Sequence, residues 1–326
     1  MLKEIRINNY RIFGGNHHIL LSMDDARPFT VVSTINASGK TTMVDAVLWC
    51  FGESLRWSSK QNLLNLEVEQ SLSLGETTEV SIELIFEIQK KTLCFKRVAC
   101  LRKNFNDSSV YKEDFYFNER LLPPKVYREI IEKQFPYWRL MITMWDERMS
   151  VQDFSRRLQK EVYYYTKNVV HFSKLFECIE AEANSIFDDL CSRSVRFKLK
   201  WNKELGFDVL IMHDSKWESY CPSTTFVVRV NVAIAIATYR ILTENNPMNW
   251  NVPFIVDDFL MGVAKNQFSI NEICALMYPT QTLFLLHQNS LEGLSSFIAN
   301  KFGKQYSMIC TRDYTNVEIT ANDEIR

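Results

Sequence analysis

The segment Thr34–Thr42 has the residue types and spacing of a loop that binds phosphate, and it reads Thr-Ile-Asn-Ala-Ser-Gly-Lys-Thr-Thr. The nucleotide phosphate loop has the pattern G-x-x-x-x-G-K-[ST], from which this segment departs only at the first glycine. A glycine such as Gly39 lets the backbone approach phosphate, the ammonium of Lys40 reaches the outer phosphates, and the hydroxyl of Thr41 can bind Mg²⁺. The alternative is a chance Gly-Lys-Thr tripeptide at the start of a helix, because short motifs give false matches.

Two adjacent carboxylates form a second candidate site. Asp257 and Asp258 directly follow the apolar residues Phe254-Ile255-Val256, which predict a buried strand. In such a pair Asp257 would hold Mg²⁺, directly or through water, and Asp258 could polarise an attacking water. The alternative is a solvated turn or a helix cap after a buried strand.

A histidine follows a third buried segment. Residues 282–286 read Thr-Leu-Phe-Leu-Leu and predict a strand, and His287 comes next. A lone histidine at a strand end is commonly structural. Three chemically suited strand ends in this order, at Thr34, Asp257 and His287, favour a shared site.

Composition and charge restrict the classes of protein. With 326 residues, of which 46% are hydrophobic and 24% charged, the chain is expected to be a soluble globular protein of one large or two small domains. A net charge of -1 excludes a globally basic nucleic-acid-binding protein, so DNA contact would need a local basic patch. The eight cysteines lack a CxxC pair, which argues against a zinc ribbon and a disulfide framework. We find no signal peptide and no membrane span, and expect a cytoplasmic protein.

The spacing of apolar residues predicts the order of helices and strands. The first strand is expected to turn at Gly14-Gly15-Asn16. The strand–helix–strand order of the last third predicts a mainly parallel sheet. The remaining predictions are short strands within residues 1–35, antiparallel strands within 78–117, further strands at 197–201, 253–256 and 282–286, and helices at 40–51, 124–134, 151–191, 226–244 and 269–277.

Several segments resemble SMC-like ABC ATPases. Residues 2–15 are similar to the strand and the Arg-aromatic turn that precede the phosphate loop of these proteins, and residues 36–49 resemble their N-G-x-G-K-[ST]-T-x-x-D-A-I run. Within these ATPases the chain looks closest to the DndD family, the ATPase of the DNA phosphorothioation system. Motifs of that family resemble residues 144–149, 253–259 and 277–283.

The resemblance implies an α/β fold, a P-loop NTPase of the ABC/SMC-head type with a mixed sheet core, an antiparallel β subdomain and a short helical stub. One composite head would comprise an N-terminal lobe (1–150), the stub in place of a coiled coil (151–192) and a C-terminal lobe (193–326). The implied cofactors are ATP and Mg²⁺. The implied site residues bind the nucleotide (Arg11, Asn36, Gly39, Lys40, Thr41, Thr42 and Ser223), hold Mg²⁺ (Thr41 and Asp257) or catalyse hydrolysis (Asp258 and His287).

The chain also departs from the family pattern. Thr34 and Ala37 replace two loop glycines, Asp258 stands where many relatives have glutamate, and only Ser223 matches the L-S-G-G-E signature. Two functions therefore stay open. One is an ATPase, weak or partner-dependent, that dimerises with itself or with a partner head around ATP and acts in DNA processing, repair or phage defence. The other is a pseudo-ATPase that scaffolds a partner complex.

A basic strand face is the candidate DNA contact. Arg196, Lys198 and Lys200 would share one face of the strand predicted at 197–201, where duplex phosphates could be bound. A second basic set is formed by Lys90-Lys91, Lys96-Arg97 and Arg102-Lys103. The alternative for both sets is a solvated strand face.

Overall fold

The computed structural model divides the chain into two compact units, each formed by segments that are distant in sequence. The first unit comprises Met1–Gln134, Asn251–Asp258 and Pro279–Arg326, and the second comprises Phe135–Trp250 and Phe259–Tyr278. The division predicted at residues 150 and 192 stays a prediction. The residues that the structure describes are 1–34, 39–53, 63–135, 138–139, 150–166, 169–190, 197–202, 206–220, 224–245, 253–257, 274–275, 277–278, 280–291, 295–311 and 315–322.

The described elements follow one another in this order. The strands are β1 (Leu2–Tyr10), β2 (Phe13–Leu20), β3 (Phe29–Thr34), β4 (Thr77–Ile88), β5 (Lys91–Lys103), β6 (Ser108–Phe117), β7 (Arg120–Leu122), β8 (Phe197–Asn202), β9 (Gly206–His213), β10 (Lys216–Ser219), β11 (Phe254–Asp257), β12 (Thr282–His287), β13 (Phe302–Cys310) and β14 (Val317–Ala321). The helices are α1 (Lys40–Cys50), α2 (Leu66–Ser71), α3 (Pro124–Gln134), α4 (Val151–Thr166), α5 (Val169–Leu190), α6 (Thr224–Asn245) and α7 (Ser296–Ala299).

A five-stranded sheet in the first unit has the order β11-β12-β3-β13-β14. The pairs β11–β12, β12–β3 and β3–β13 are parallel, and only β13–β14 is antiparallel. All six residues of β3 are buried, as are the first five of β12. Such continuous burial is typical of central parallel strands that are covered on both faces. The predicted mainly parallel sheet is confirmed.

A second sheet of the first unit has six antiparallel strands in the order β2-β1-β4-β5-β6-β7. In β4 the buried residues Val80, Ile82, Leu84 and Phe86 alternate with more exposed ones, so one face of this strand supplies the core. This period of two is the pattern from which antiparallel strands within 78–117 were predicted, and the prediction is confirmed.

The first hairpin turns earlier than the sequence predicts. The chain reverses at Arg11-Ile12 between β1 and β2, whereas Gly14, Gly15 and Asn16 lie inside β2. The predicted turn at Gly14-Gly15-Asn16 is therefore wrong. Non-glycine residues make the reversal: Asn9 has a φ of 54° and Arg11 a φ of 53°. Burial of Tyr10 and Phe13 fixes the register around them.

Helix α1 forms part of the core of the first unit. It contacts β11 of the parallel sheet and β1, β4 and β5 of the antiparallel sheet. Every residue from Met43 to Cys50 is buried. A helix that is buried all round needs no polar face, which explains the nearly continuous apolar sequence of α1. Phe51, just after the helix, stacks on Phe86 with ring centroids 6.1 Å apart.

The second unit combines helices with a small sheet. Strands β10, β9 and β8 form an antiparallel sheet in that order. Helix α4 packs against β9, and α5 packs against β8 and α6. An ion pair joins α5 to α6, with Arg240 Nη1 2.7 Å from Glu182 Oε1. No helix among the described residues has the length and apolar character needed to span a bilayer.

Candidate functional site

The segment that matches the phosphate-loop pattern connects the buried strand β3 to helix α1. Gly39 is the N-cap of α1, and its carbonyl accepts the first helical hydrogen bond from the amide of Met43 at 2.9 Å. The first turn of α1 contains no acidic residue. Backbone N–H groups at a helix start have no intrahelical partner, and the helix dipole places partial positive charge there. This start is thus suited to an anion such as phosphate.

Exposure changes abruptly along the first residues of α1. Thr41 is exposed, Lys40 and Thr42 are half-buried, and the residues from Met43 onward are buried. The polar side chains predicted to bind a nucleotide are thus accessible at the start of the helix. The apolar remainder of the helix anchors this start in the core.

Gly39 is required by its backbone and by its surroundings. Its φ of +94° lies in the left-handed region, which L-residues with a side chain rarely adopt. A Cβ atom at this position would lie 2.9 Å from Cγ2 of Ile12. Ile12 belongs to the β1–β2 turn, so that turn packs directly against the start of α1. The predicted importance of Gly39 has a structural cause beyond the motif.

Arg11, from the same turn, forms an ion pair with α1. Its Nη1 lies 3.1 Å from Oδ2 of Asp45, and the two side chains are only 12% and 2% exposed. The backbone of Arg11 is also held, because its amide donates to the carbonyl of Leu63 at 2.9 Å and its carbonyl accepts from Nδ2 of Asn65 at 2.7 Å. Arg11 was predicted to bind the nucleotide, and that role stays a prediction. The described contact is with Asp45.

Asn65 and Asn316 support the turn from the other side. The Nδ2 group of Asn65 donates to Thr315 O at 2.8 Å as well as to the turn, and its Oδ1 caps α2 by accepting from the amides of Glu67 and Val68. Oδ1 of Asn316 accepts from the amide of Gly14 at 2.9 Å. The two side-chain amides link residues that lie 250 and 302 positions apart in sequence.

Buried Tyr10 lies next to this ion pair. Burial raises the pKa of the Tyr10 hydroxyl, and the nearby negative charge of Asp45 raises it further. The ring of Tyr10 packs on Trp49 of α1, with centroids 5.7 Å apart. The hydroxyl therefore stays protonated at neutral pH beside the Asp45 carboxylate.

The other end of α1 is held by Arg97 of β5. Its Nη1 donates to the carbonyls of Trp49 and Glu53 at 2.8 and 3.1 Å, and its guanidinium carbon lies 4.4 Å from the Trp49 ring centroid. Its Nη2 pairs with Glu113 at 3.0 Å. A cation at the C-terminus of a helix stabilises the last carbonyls. Arg97 was part of the second basic set, but it is buried and serves α1.

The parallel register brings three strand ends to one edge of the sheet. His287, the last residue of β12, pairs with Thr34, the last residue of β3. Asp257, the last residue of β11, pairs with Leu285, two residues before His287. Because β12 lies between β3 and β11, the ends of the outer two strands are two strand spacings apart, roughly 10 Å. His287 is half-buried at the middle position. The register places the three strand ends at one edge of the sheet, and their forming one site stays a prediction.

Some predicted site residues lie outside the described residues. They are Asn36 of the loop, Arg196 before β8, Asp258 after β11, Ser223 before α6, and the segment 144–149 that resembles a DndD motif. Most of the helix predicted at 269–277 also lies outside them. Sequence reasoning assigned no role to Asp45, Ile12 or Asn65, although Asp45 is a charged residue in an otherwise apolar stretch of α1. That isolated charge was a usable signal. The contacts of Ile12 and Asn65 depend on residues that are distant in sequence.

Comparisons with known proteins agree with this architecture. Residues 4–199 match the family model AAA_23, described as an AAA domain. The SMC head domain from Thermotoga maritima is similar in structure, with a TM-score of 0.56, 13% identity and 99% of each chain covered. The recombination mediator protein RecF in complex with ATP is also similar, with a TM-score of 0.54, 10% identity and coverage of 98% of this chain and 97% of RecF. No curated protein sequence matches the chain.

Proposed function

The chain belongs to the AAA domain family, and from this premise we propose that it is an ATP-binding head of the SMC/RecF type. We propose that it binds Mg-ATP through Gly39, Lys40 and Thr41 and hydrolyses it slowly or with a partner. The observation that carries the proposal is that α1 begins shortly after β3, whose carboxyl end lies at the same edge of the parallel sheet as the ends of β12 and β11. The fold shared with RecF, which was solved with ATP, supports the same ligand.

The described residues fit a nucleotide. Gly39 begins the helix with a left-handed backbone, Thr41 is exposed, and Lys40 supplies a cation at the helix start. Asp257 is the last residue of β11, and its carboxylate would suit Mg²⁺, which prefers oxygen ligands. Bound Mg²⁺ would neutralise charge on the phosphates. Lys40 would bind and orient the outer phosphates, and the buried part of α1 would keep Lys40 in place.

The hydrolytic step is assigned to the residue that follows β11 and to the last residue of β12. We propose that Asp258 accepts a hydrogen bond from the attacking water and orients it. His287, at the end of the middle strand, would donate a hydrogen bond to the same water or help to orient it. The pairing of His287 with Thr34 supports this assignment, because it places the histidine directly beside the strand that leads into the phosphate loop.

We also propose assembly and a biological setting. Ser223 of one head would complete the phosphate site of a second copy or of a partner head, so ATP would promote dimers. The resemblance to DndD and the fold shared with the recombination mediator RecF support a role in DNA processing, repair or defence. Arg196, Lys198 and Lys200 would supply local DNA contacts.

A second candidate is a pseudo-ATPase that binds nucleotide and scaffolds partners without significant hydrolysis. Thr34 favours it, because the position of the first motif glycine lies within β3 and is paired with His287 on one side and Met308 on the other. The position therefore has extended backbone where the motif has a glycine. Ala37 and the changed signature favour the same candidate.

One experiment separates these functions. ATP turnover is measured with and without DNA for the wild type and for Lys40→Ala, beside nucleotide binding. We expect wild-type turnover, raised by DNA, that Lys40→Ala abolishes. Nucleotide binding without turnover under both conditions would instead support the pseudo-ATPase. Turnover that is unchanged in Lys40→Ala would come from a contaminating enzyme and overturn the proposal.

A further inference from the structure

The three-stranded sheet of the second unit has an outer face with lysines and an exposed tryptophan, and these side chains are not part of the hydrophobic core. The register of β8, β9 and β10 assigns alternate residues to two faces. We call the outer face the one formed by Lys198, Lys200, Asp208, Leu210, Met212, Trp217 and Ser219. The inner face contains Phe197, Leu199, Trp201, Phe207 and Val209.

The inner face and the open edge of β8 are occupied by α5. The Phe176 ring of α5 stacks on Trp201 with centroids 5.2 Å apart. Asn184 of α5 accepts from the amide of Leu199 at 2.7 Å and donates to its carbonyl at 2.8 Å. Glu180 accepts from the amide of Trp201 at 2.7 Å. Among the described residues, α5 therefore covers the inner face and the β8 edge, whereas Lys198, Lys200 and Trp217 of the outer face are exposed.

The outer face is basic along β8. Lys198 and Lys200 are both exposed, while Leu199 between them is fully buried. Two residues along a strand span roughly 6.6 Å, which is comparable with the separation of successive phosphates in a nucleic acid. Asp208 lies opposite Lys200 in the register, yet within the described residues neither lysine is within ion-pair distance of a carboxylate. Because the chain has a net charge of -1, the attraction of this face for phosphates would come from these two lysines and not from a global field.

An exposed tryptophan lies on the same face. Trp217 of β10 is 41% exposed and pairs with Met212, while Lys198 pairs with Leu210. The half-buried side chains of Leu210 and Met212 therefore lie between the lysines and the indole, over two strand spacings of roughly 10 Å. Lysines in a row beside an aromatic ring are the combination with which proteins bind single strands, by phosphate contacts and base stacking.

We propose that this outer face binds single-stranded nucleic acid without sequence preference. The phosphates lie along Lys198 and Lys200, and a base extends across Leu210 and Met212 to stack on Trp217. A duplex presents phosphates but keeps its bases stacked inside, so it would use the lysines without the indole. The proposal deepens the proposed DNA-related function, on which its choice of ligand rests, but it needs neither ATP nor a second head.

The test uses fluorescence anisotropy of a labelled oligo(dT) with the full chain, without nucleotide, over a series of salt concentrations. The double variant Lys198→Glu/Lys200→Glu is compared with Lys216→Glu, which reverses an exposed lysine on the opposite face of the same sheet. We expect the double variant to lose most binding and to flatten the slope of log affinity against log salt by about 1.4, since each single-strand phosphate contact contributes about 0.7. Lys216→Glu should retain the wild-type slope.

A second variant tests stacking separately from charge. Trp217→Ala should weaken oligo(dT) binding about tenfold, within the range of 1–3 kcal/mol found for base–aromatic stacking, and should leave the salt slope unchanged. Circular dichroism confirms that each variant is folded. Equal losses in Lys216→Glu and the double variant would overturn the proposal. The absence of oligo(dT) binding at low salt would also overturn it and would indicate that the face binds a protein partner. Tighter binding of a duplex, with an affinity that Trp217→Ala does not weaken, would overturn it as well.

The nucleotide proposal and the single-strand proposal can be tested separately. Lys40→Ala should bind oligo(dT) like the wild type, because Lys40 belongs to the first unit and the outer face to the second. If ATP binding fails while oligo(dT) binding persists, the nucleotide proposal is wrong and the single-strand proposal stands. If oligo(dT) binding alone fails, the reverse holds.

Discussion

Arg11 and Asp45 form a buried ion pair that joins the β1–β2 turn to the helix that follows the phosphate loop, with Nη1 and Oδ2 3.1 Å apart. Arg11 makes this contact from a backbone with a φ of 53°, which is uncommon for a residue with a side chain. Such backbone conformations persist where the surrounding structure determines them, here through Leu63 and Asn65. The ion pair and these hydrogen bonds therefore hold the turn against the helix that begins at the candidate phosphate site.

Removing one partner of this pair should destabilise the protein strongly. Asp45→Asn leaves the guanidinium of Arg11 buried with a weaker partner, and we expect a loss of about 3 kcal/mol in the free energy of unfolding. The measurement is urea denaturation of Asp45→Asn, Arg11→Met and the double variant. The double variant should lose less than the sum of the single losses, with a coupling of about 1–3 kcal/mol. Additive losses would show that the two charges do not stabilise each other.

Gly39→Ala should reduce both stability and nucleotide binding. The backbone at this position is left-handed, which a residue with a side chain disfavours, and the new methyl group would lie 2.9 Å from Ile12 Cγ2. Gly75→Ala is the matched control, since Gly75 has a φ of +82° with no atom within 4 Å of the added methyl group. We expect about 1 kcal/mol from the backbone term in both variants and a further loss only in Gly39→Ala. Adding Ile12→Ala to Gly39→Ala should recover part of that further loss, because it removes the side chain that the methyl group contacts. Equal free energies of unfolding for Gly39→Ala and Gly75→Ala would contradict a role for this contact.

Arg97→Met should destabilise the C-terminal end of α1. The variant keeps most of the aliphatic stem but loses the hydrogen bonds to Trp49 O and Glu53 O and the ion pair with Glu113. We expect a loss of about 2–3 kcal/mol, because hydrogen bonds from a charged donor to the carbonyls at the helix end are lost. Arg102→Met is the control, because Arg102 is exposed and its described contact is with the ring of Tyr111 at 5.3 Å; it should lose less than about 1 kcal/mol. Similar losses in both variants would indicate a general effect of removing arginine.

The sequence predicted the fold where local pattern decides the structure. The period of two in β4 and the strand–helix–strand order of the last third were sufficient to predict antiparallel strands and a mainly parallel sheet. The first turn could not be predicted in the same way, because glycines mark turns only when nothing else fixes the register. Here the burial of Tyr10 and Phe13 places the reversal at Arg11-Ile12 and leaves Gly14 and Gly15 in the strand.

For the site, motif spacing identified the residues that could contact a ligand, while the supporting contacts needed the structure. Lys40 and Thr41 follow from the pattern alone. The interaction of Asn65 with Thr315 crosses 250 positions of sequence, and nothing local to either residue indicates it. Likewise, Arg97 belonged to a basic set by sequence, but only its position beside the end of α1 shows that it is used internally.

Asp258→Asn should leave ATP bound but slow its turnover. The amide keeps the shape of the side chain but cannot accept a proton, so we expect a decrease of about 10²-fold or more if Asp258 acts as a general base. Single-turnover kinetics under saturating ATP checks this. In the same variant, size measurements with ATP should detect dimers that persist because hydrolysis is slow. Wild-type turnover in Asp258→Asn would assign the water to His287 instead.

The most direct test of the central claim is calorimetric titration of Mg-ATP into the wild type, Lys40→Ala and the control Lys91→Ala. Lys91 is an exposed lysine at the start of β5 in the first unit. The account predicts that the wild type and Lys91→Ala bind Mg-ATP with the same affinity and that Lys40→Ala binds at least tenfold more weakly, because the cation nearest the outer phosphates is gone. Equal affinities for Lys40→Ala and the wild type would contradict the assignment of the phosphate site.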